Sequence, residues 1–133
     1  MSRENVELVR RMYDAYLNGD AEGALQYVHP DVEVDFSVRV DTSMGRGREE
    51  LARIVGSWAA SWDDYREEID EVVDLGDEVC VAATQRGRGK GSGAELENRF
   101  AGLYEVHEGQ VTRIAMYMSL EEALRAAKAS ETT

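Results

Sequence analysis

The sequence is poor in the residues that stabilise small secreted chains or build metal sites. Its 133 residues include one cysteine, one proline and two histidines. Cys80 alone cannot form an internal disulfide, and two histidines without a nearby ligand pair do not predict a metal site. No apolar run approaches the roughly 20 residues that cross a bilayer, and the first segment, MSRENVELVRRMY, lacks the apolar core of a signal peptide. We therefore expect a cytoplasmic protein without metal or membrane contact.

Positive charge is also scarce. Lys and Arg number 15 against 27 Asp and Glu, which gives a formal net charge of −12. Nucleic acids and anionic membrane surfaces are polyanions and would repel such a chain within a Debye length of about 8 Å. We expect neither as a partner. Hydrophobic residues make up 43% of the chain, enough for the core of one domain over residues 1–133.

The glycine-rich segment QRGRGKGSG, residues 85–93, does not fit a phosphate-binding loop. Lys90 is followed by Gly91 instead of Ser or Thr, and no helix follows to supply a positive N-terminus. The segment predicts a hairpin loop. No cofactor is expected.

Apolar spacing predicts the order of helices and strands. Three- and four-residue spacings predict helices over residues 2–18, 20–28 and 48–61 and a short helix after Ser119, whereas alternation predicts strands over 31–36, 65–75, 78–86, 94–106 and 110–118. Segment 37–47 reads as a polar loop, and the dense acidic stretch 63–78 as a solvated strand face. This order predicts an α+β fold in which helices cover one face of a mainly antiparallel sheet.

Both faces of the last two strands carry apolar residues. We assign the parity of Ala101 and Leu103 to the inside of the fold, together with Glu97 and Arg99. The opposite parity is assigned to a sheet-to-sheet homodimer; its residues are Phe100, Tyr104 and Tyr117. One helical layer covers only one face, and a second copy would cover the other.

Two segments carry a family resemblance: VRRMYDAYLNGDAEGALQYVHPDVEVDF at 9–36 and FAGLYEVHEGQVTRIAMYMSLEEAL at 100–124. With the element order, they make the chain similar to the SnoaL-like branch of the nuclear transport factor 2-like superfamily. The resemblance implies a curved sheet wrapped by three N-terminal helices into a cone, with a short C-terminal helix, a small apolar ligand and a homodimer. Members include ketosteroid isomerase, limonene epoxide hydrolase, scytalone dehydratase, polyketide cyclases and noncatalytic binding modules.

The resemblance also implies positions for catalytic groups. The carboxylate base of the isomerases matches Phe36, with Asp35 one residue away, and their second carboxyl matches Ala101. The last-strand acid of the hydrolases and cyclases matches Met116. The first-helix tyrosine that donates a hydrogen bond to an oxyanion matches Tyr13.

Three residues are therefore catalytic candidates, each with a structural alternative. Tyr13 is an oxyanion donor or a core tyrosine with a satisfied hydroxyl. Asp35 is a general base if a bulge turns it inward, and otherwise a solvated strand residue. Arg99 binds an acid or carbonyl group of the ligand, or pairs internally with Glu97.

The predicted ligand-binding residues complete the candidate site. They are Phe36, Trp58, Trp62, Glu97, Ala101, Leu103, Ile114, Met116 and Met118. Three functions stay open at this point. In the first, a small hydrophobic molecule is bound in the cone and undergoes isomerase, cyclase, dehydratase or hydrolase chemistry; in the second, the domain is a noncatalytic module that binds a ligand or a protein. The third is a purely structural dimerisation domain whose cone is filled by its own side chains.

Overall fold

The computed structural model describes residues 2–36 and 44–131. Within these residues the chain forms helices α1 to α4 and strands β1 to β6. The helices are α1 Ser2–Leu17, α2 Ala21–Leu25, α3 Arg48–Ala60 and α4 Leu120–Glu131. The strands are β1 Val28–Asp35, β2 Met44–Arg46, β3 Trp62–Asp74, β4 Glu78–Gly89, β5 Glu95–His107 and β6 Gln110–Tyr117. No described helix is long and apolar enough to cross a membrane.

The six strands form one curved, unclosed sheet in the order β2-β1-β6-β5-β4-β3. Neighbouring strands are antiparallel except for β1 and β6, which run parallel. Residues of α1, α2 and α3 share the main core with one face of the sheet, called the inner face below. The α+β cone predicted from the sequence is confirmed.

Predicted local signals are found at the ends of several elements. Gly19 adopts a φ of 84° just after α1, and the Asp20 carboxylate accepts a hydrogen bond from the Gly23 N–H at 2.9 Å. Before α4, the Ser119 hydroxyl oxygen accepts from the Glu122 N–H at 3.2 Å. These contacts satisfy helix N–H groups that lack an intrahelical partner, so the chain reverses where the sequence predicted it.

Several boundaries differ from the sequence predictions. Helix α2 ends at Leu25, and Val28 already pairs with Val111 of β6, because the sheet hydrogen bonds replace further helical ones. Strand β3 begins at Trp62, three residues before its predicted start. Strand β2 occupies part of the segment predicted to be a loop; residues 37–43 of that loop lie outside the described residues.

The outer face of the sheet is covered in part by α4. Cys80, Ala101 and Leu103 are buried there against Ala123 and Ala127 of the helix. These small residues let the helix approach the strands closely. Both faces of the late strands are therefore buried within one chain, as far as the described residues go, and no second copy is needed to cover this part of the sheet.

The predicted assignment of β5 faces is wrong. Phe100 and Tyr104 lie on the inner face and are 5% and 6% exposed, whereas Ala101 and Leu103 lie under α4. Alternation separates two sets of residues but does not say which set faces the cone. Side-chain volume decides it here, because bulky rings fill the wide interior and small side chains admit α4.

Candidate functional site

A cavity of about 210 Å³ lies between the inner face and helices α1, α2 and α3. Its walls are mainly apolar, and all three helices and five of the strands or their ends contribute. Seven of the chain's ten aromatic residues line it: Tyr13, Tyr16, Phe36, Trp58, Tyr65, Phe100 and Tyr104. Apolar walls with a few polar groups are typical of small-molecule pockets.

A row of hydrogen-bonded polar side chains crosses three strands on the inner face. The Glu67 Oε1 atom of β3 accepts from the Tyr65 hydroxyl at 2.5 Å and from the Gln85 amide at 3.3 Å. Gln85 of β4 in turn accepts from the Asn98 amide of β5 at 2.8 Å. Strand register places Glu67, Gln85 and Asn98 opposite one another, so the sheet itself holds this row in place.

A second polar feature joins α1 to β5. The hydroxyl oxygens of Tyr13 and Tyr104 are 2.9 Å apart and share a hydrogen bond, and their rings meet edge to face with centroids 5.9 Å apart. One hydrogen bond between two hydroxyls uses one proton. The other proton of the pair is thus outside this bond and close to the cavity that both rings line.

Burial keeps the cavity's tyrosine hydroxyls protonated. Removal from water is the main cause that raises the pKa of Tyr13, Tyr65 and Tyr104, and the negative charge of Glu67 raises each pKa further. These three hydroxyls therefore remain neutral hydrogen-bond donors far above neutral pH.

The described residues of the cavity wall include an acidic side chain and no basic one. Glu67 carries the only carboxyl group among the described residues that line it, and none of those residues is a lysine, arginine or histidine. The site offers a carboxyl oxygen pair, tyrosine hydroxyls, an amide and aromatic faces. It offers no cationic group to an acidic ligand.

Five of the residues predicted for the site lie at the cavity wall: Tyr13, Phe36, Trp58, Ile114 and Met116. Phe36 and Met116 hold the positions that the resemblance matched to acids of catalytic relatives. Their apolar side chains contribute to the wall instead.

Two of the three catalytic candidates lie elsewhere. Asp35 is on the outer face, where its carboxylate is 3.5 Å from Arg113 Nη2, because β1 continues its alternation through Phe36 without turning Asp35 inward. Arg99 is exposed, and Glu97 is within 3.4 Å of Arg86. The predicted inward direction of Arg99 and Glu97, and their internal pairing, are wrong, since the parity of β5 is the opposite one.

The remaining predicted residues are also outside the cavity wall. Ala101 and Leu103 pack under α4. Trp62 packs edge to face on Trp58, with centroids 5.5 Å apart, and so supports a wall residue from behind. Met118 follows the end of β6 and is 60% exposed.

Apart from Tyr13, the polar residues of the cavity were not predicted from the sequence. Glu67 was included in an acidic strand face predicted to be solvated. Tyr65 and Glu67 share the parity of Ile69, a residue packed on the main core, and this was the available signal. An acid at an apolar-face position of an amphipathic strand indicates an inward carboxyl group.

A curved sheet wrapped by helices around an aromatic cavity is the architecture of the cone-shaped ligand-binding domains. The family model described as a SnoaL-like domain matches residues 9–114. This chain therefore belongs to the SnoaL-like domain family. A comparison with curated protein sequences gives no significant match.

Solved structures with the same fold include proteins of several descriptions. One, from Jannaschia sp. CCS1, is provisionally described as a SnoaL-like polyketide cyclase; it is 20% identical over 93% of this chain and 91% of its own, with a TM-score of 0.77. TerC, co-crystallised with polyporic acid, is 20% identical over 92% and 96%, with a TM-score of 0.74. A hypothetical protein from Catenulispora acidiphila DSM 44928 with a ketosteroid isomerase-like fold, in complex with trimethylamine, is 19% identical over 90% of both chains, with a TM-score of 0.72.

Proposed function

We propose that this SnoaL-like domain binds one small, mostly apolar organic molecule inside the cone. The observation that supports this most strongly is the cavity of about 210 Å³, whose wall combines seven aromatic side chains with a short row of polar groups. Apolar walls provide affinity, and the few polar groups orient the ligand. The similar structures with polyporic acid and with trimethylamine are consistent with this, although two such different ligands do not select one class for this chain.

A cavity-filling substitution tests the binding function. Val55 of α3 lines the cavity, and Val55→Trp should fill part of it. Isothermal titration with 4-tert-butylphenol should show binding to the wild type and at least tenfold weaker binding to Val55→Trp. Ser57→Trp, an exposed position on the same helix, is the matched control and should bind as the wild type does. Equal affinities for all three proteins would contradict the proposal.

Acid–base chemistry on the bound molecule is the second candidate function. It is supported by one carboxyl group, Glu67, near the hydroxyl pair of Tyr13 and Tyr104, since a base and an oxyanion donor are the groups that enolisation needs. Exchange of the α-protons of 4-phenylbutan-2-one for deuterium, followed by NMR, should be accelerated by the wild type and not by Glu67→Gln. Equal exchange rates with both proteins would leave binding as the function.

A further inference from the structure

The aromatic rings and the carboxyl group of the cavity have one property in common. The face of an aromatic ring is the negative side of its quadrupole, and a carboxylate carries a full negative charge. Seven aromatic side chains and Glu67 line the same space, and no described lining residue carries a positive charge. The wall therefore combines a carboxyl group with aromatic rings, the two kinds of group that attract cations.

The Glu67 carboxyl group is held in place by neighbours that are hydrogen-bond donors. Tyr65 and Gln85 both donate to its Oε1 atom, and such donors favour the ionised form of a carboxyl group over the neutral one. Gln85 is 2% exposed and is itself fixed by Asn98. The Glu67 carboxyl group is thus positioned at the cavity wall by the sheet, without help from a ligand.

The negative charge of Glu67 also affects the pKa of three tyrosine hydroxyls in the cavity wall. Their raised pKa values have burial as the first cause, with the Glu67 charge as a further cause at Tyr13, Tyr65 and Tyr104. Glu67 is thus one of the causes of the raised pKa of tyrosines on α1, β3 and β5.

We propose that the molecule bound in the cone is a small organic ammonium cation, with its charged nitrogen near Glu67 and its substituents against the aromatic rings. The inference rests on the proposed binding function and names the ligand class for that same cavity. Quaternary and tertiary ammonium groups are weakly hydrated and gain from ring faces, and a carboxylate adds a direct charge contact. The net charge of −12 also raises the local concentration of cations around the domain.

A pair of probes with nearly the same shape and different charge tests this. (4-Hydroxyphenyl)trimethylammonium and 4-tert-butylphenol differ in one atom, nitrogen against carbon, and in one positive charge. Isothermal titration of the wild type should give at least tenfold tighter binding of the cation. In Glu67→Gln the ratio of the two affinities should fall at least fivefold, because the cation loses its charged contact and the neutral probe has none to lose.

Glu71→Gln is the matched control, because Glu71 is an exposed acid on the same strand and the substitution changes the net charge equally. It should keep the wild-type ratio. Equal or tighter binding of 4-tert-butylphenol by the wild type would overturn the ammonium inference and leave the binding function standing, and this comparison requires no variant to fold. A wild-type ratio preserved in Glu67→Gln would overturn it as well. If neither probe binds, the binding function itself fails and the inference fails with it.

Discussion

Single side chains on the inner face have their chemistry set by neighbours from distant parts of the sequence. Tyr13 and Tyr104 are 91 positions apart, yet they share a hydrogen bond. Glu67 receives its donors from its own strand and from Gln85. Arg99, which the sequence favoured as the polar contact to a ligand, lies on the exposed side of β5. The sequence predicted that Arg99 would contact an acidic or carbonyl ligand. The described cavity wall instead holds an acidic side chain, Glu67, and no basic one.

The placement of Arg99 leads to a prediction at this scale. Arg99→Ala should leave the affinity for 4-tert-butylphenol within about twofold of the wild-type value, since the side chain does not line the cavity. Tyr104→Phe removes a hydroxyl from the wall and is the informative comparison; it should change that affinity measurably. Isothermal titration of the wild type and both variants with 4-tert-butylphenol measures these affinities. A tenfold loss in Arg99→Ala would show that Arg99 reaches the ligand.

Cys80 provides a prediction with a pH dependence. Burial raises the pKa of its thiol from 9.0 to about 11, with Glu71 and Glu78 adding to the effect. Because the folded state holds the proton more tightly, the thiol's contribution to stability is complete below pH 9 and is lost as pH rises towards 11. Urea unfolding at pH 8, 9.5 and 11 should show a steeper loss of unfolding free energy for the wild type than for Cys80→Ala. Parallel pH profiles for the two proteins would argue against a shifted thiol.

Among the elements, α4 is the one that buries apolar residues of the outer face. Its Ala123 and Ala127 pack on Cys80, Ala101 and Leu103, and the close approach depends on small side chains on both sides. The helix begins at Leu120 and is capped by Ser119, two residues after the end of β6. A local signal at the end of one strand thus determines which part of the sheet is removed from water.

Enlarging a residue at this contact should destabilise the domain. Ala123 is fully buried, and Ala123→Leu is expected to lower the free energy of unfolding by about 1–3 kcal/mol through overpacking. Lys128→Leu, at an exposed position of the same helix, is the control and should change it by less than about 0.5 kcal/mol. Urea denaturation followed by circular dichroism measures both. Equal effects would mean that α4 is packed loosely.

At the scale of the whole molecule, the outer face beyond α4 is charged. Arg113 lies within 4 Å of Glu33 and Asp35, and Arg46 is 2.8 Å from Glu33. Of the interface residues predicted from the sequence, Phe100 and Tyr104 are wrong, because they face the cavity. Tyr117 is half-buried on the outer face near α4, and its part in an interface stays a prediction. A homodimer itself stays a prediction.

The homodimer is tested by sedimentation. At micromolar concentration and physiological salt the domain should sediment as a dimer, and lowering the salt should weaken association because each copy carries a net charge of −12. Both Glu105→Lys and Glu7→Lys make the net charge less negative by two, and Glu105→Lys, on the outer face, should reduce the salt dependence more than Glu7→Lys on exposed α1. A monomer under all conditions would contradict the prediction.

The sequence by itself determined the order of the elements other than β2, several of their ends and the acidic character of the chain. These depend on local rules: three-and-four spacing, alternation, capping side chains at Asp20 and Ser119, and left-handed glycines such as Gly19. It also placed Tyr13, Phe36, Trp58, Ile114 and Met116 on apolar faces, and the fold brings all five to one cavity.

Only the tertiary structure shows which face of β5 lines the cone and which polar side chains line the cavity. Alternation divides a strand into two sets without assigning either to the interior, and here both sets are buried because α4 returns to the sheet from the end of the chain. Glu67 gains its role through register with Gln85, a partner 18 positions away across a strand pair. Such pairings are set by the packing of the whole sheet, so the sequence pattern of β3 alone resembled a solvated face.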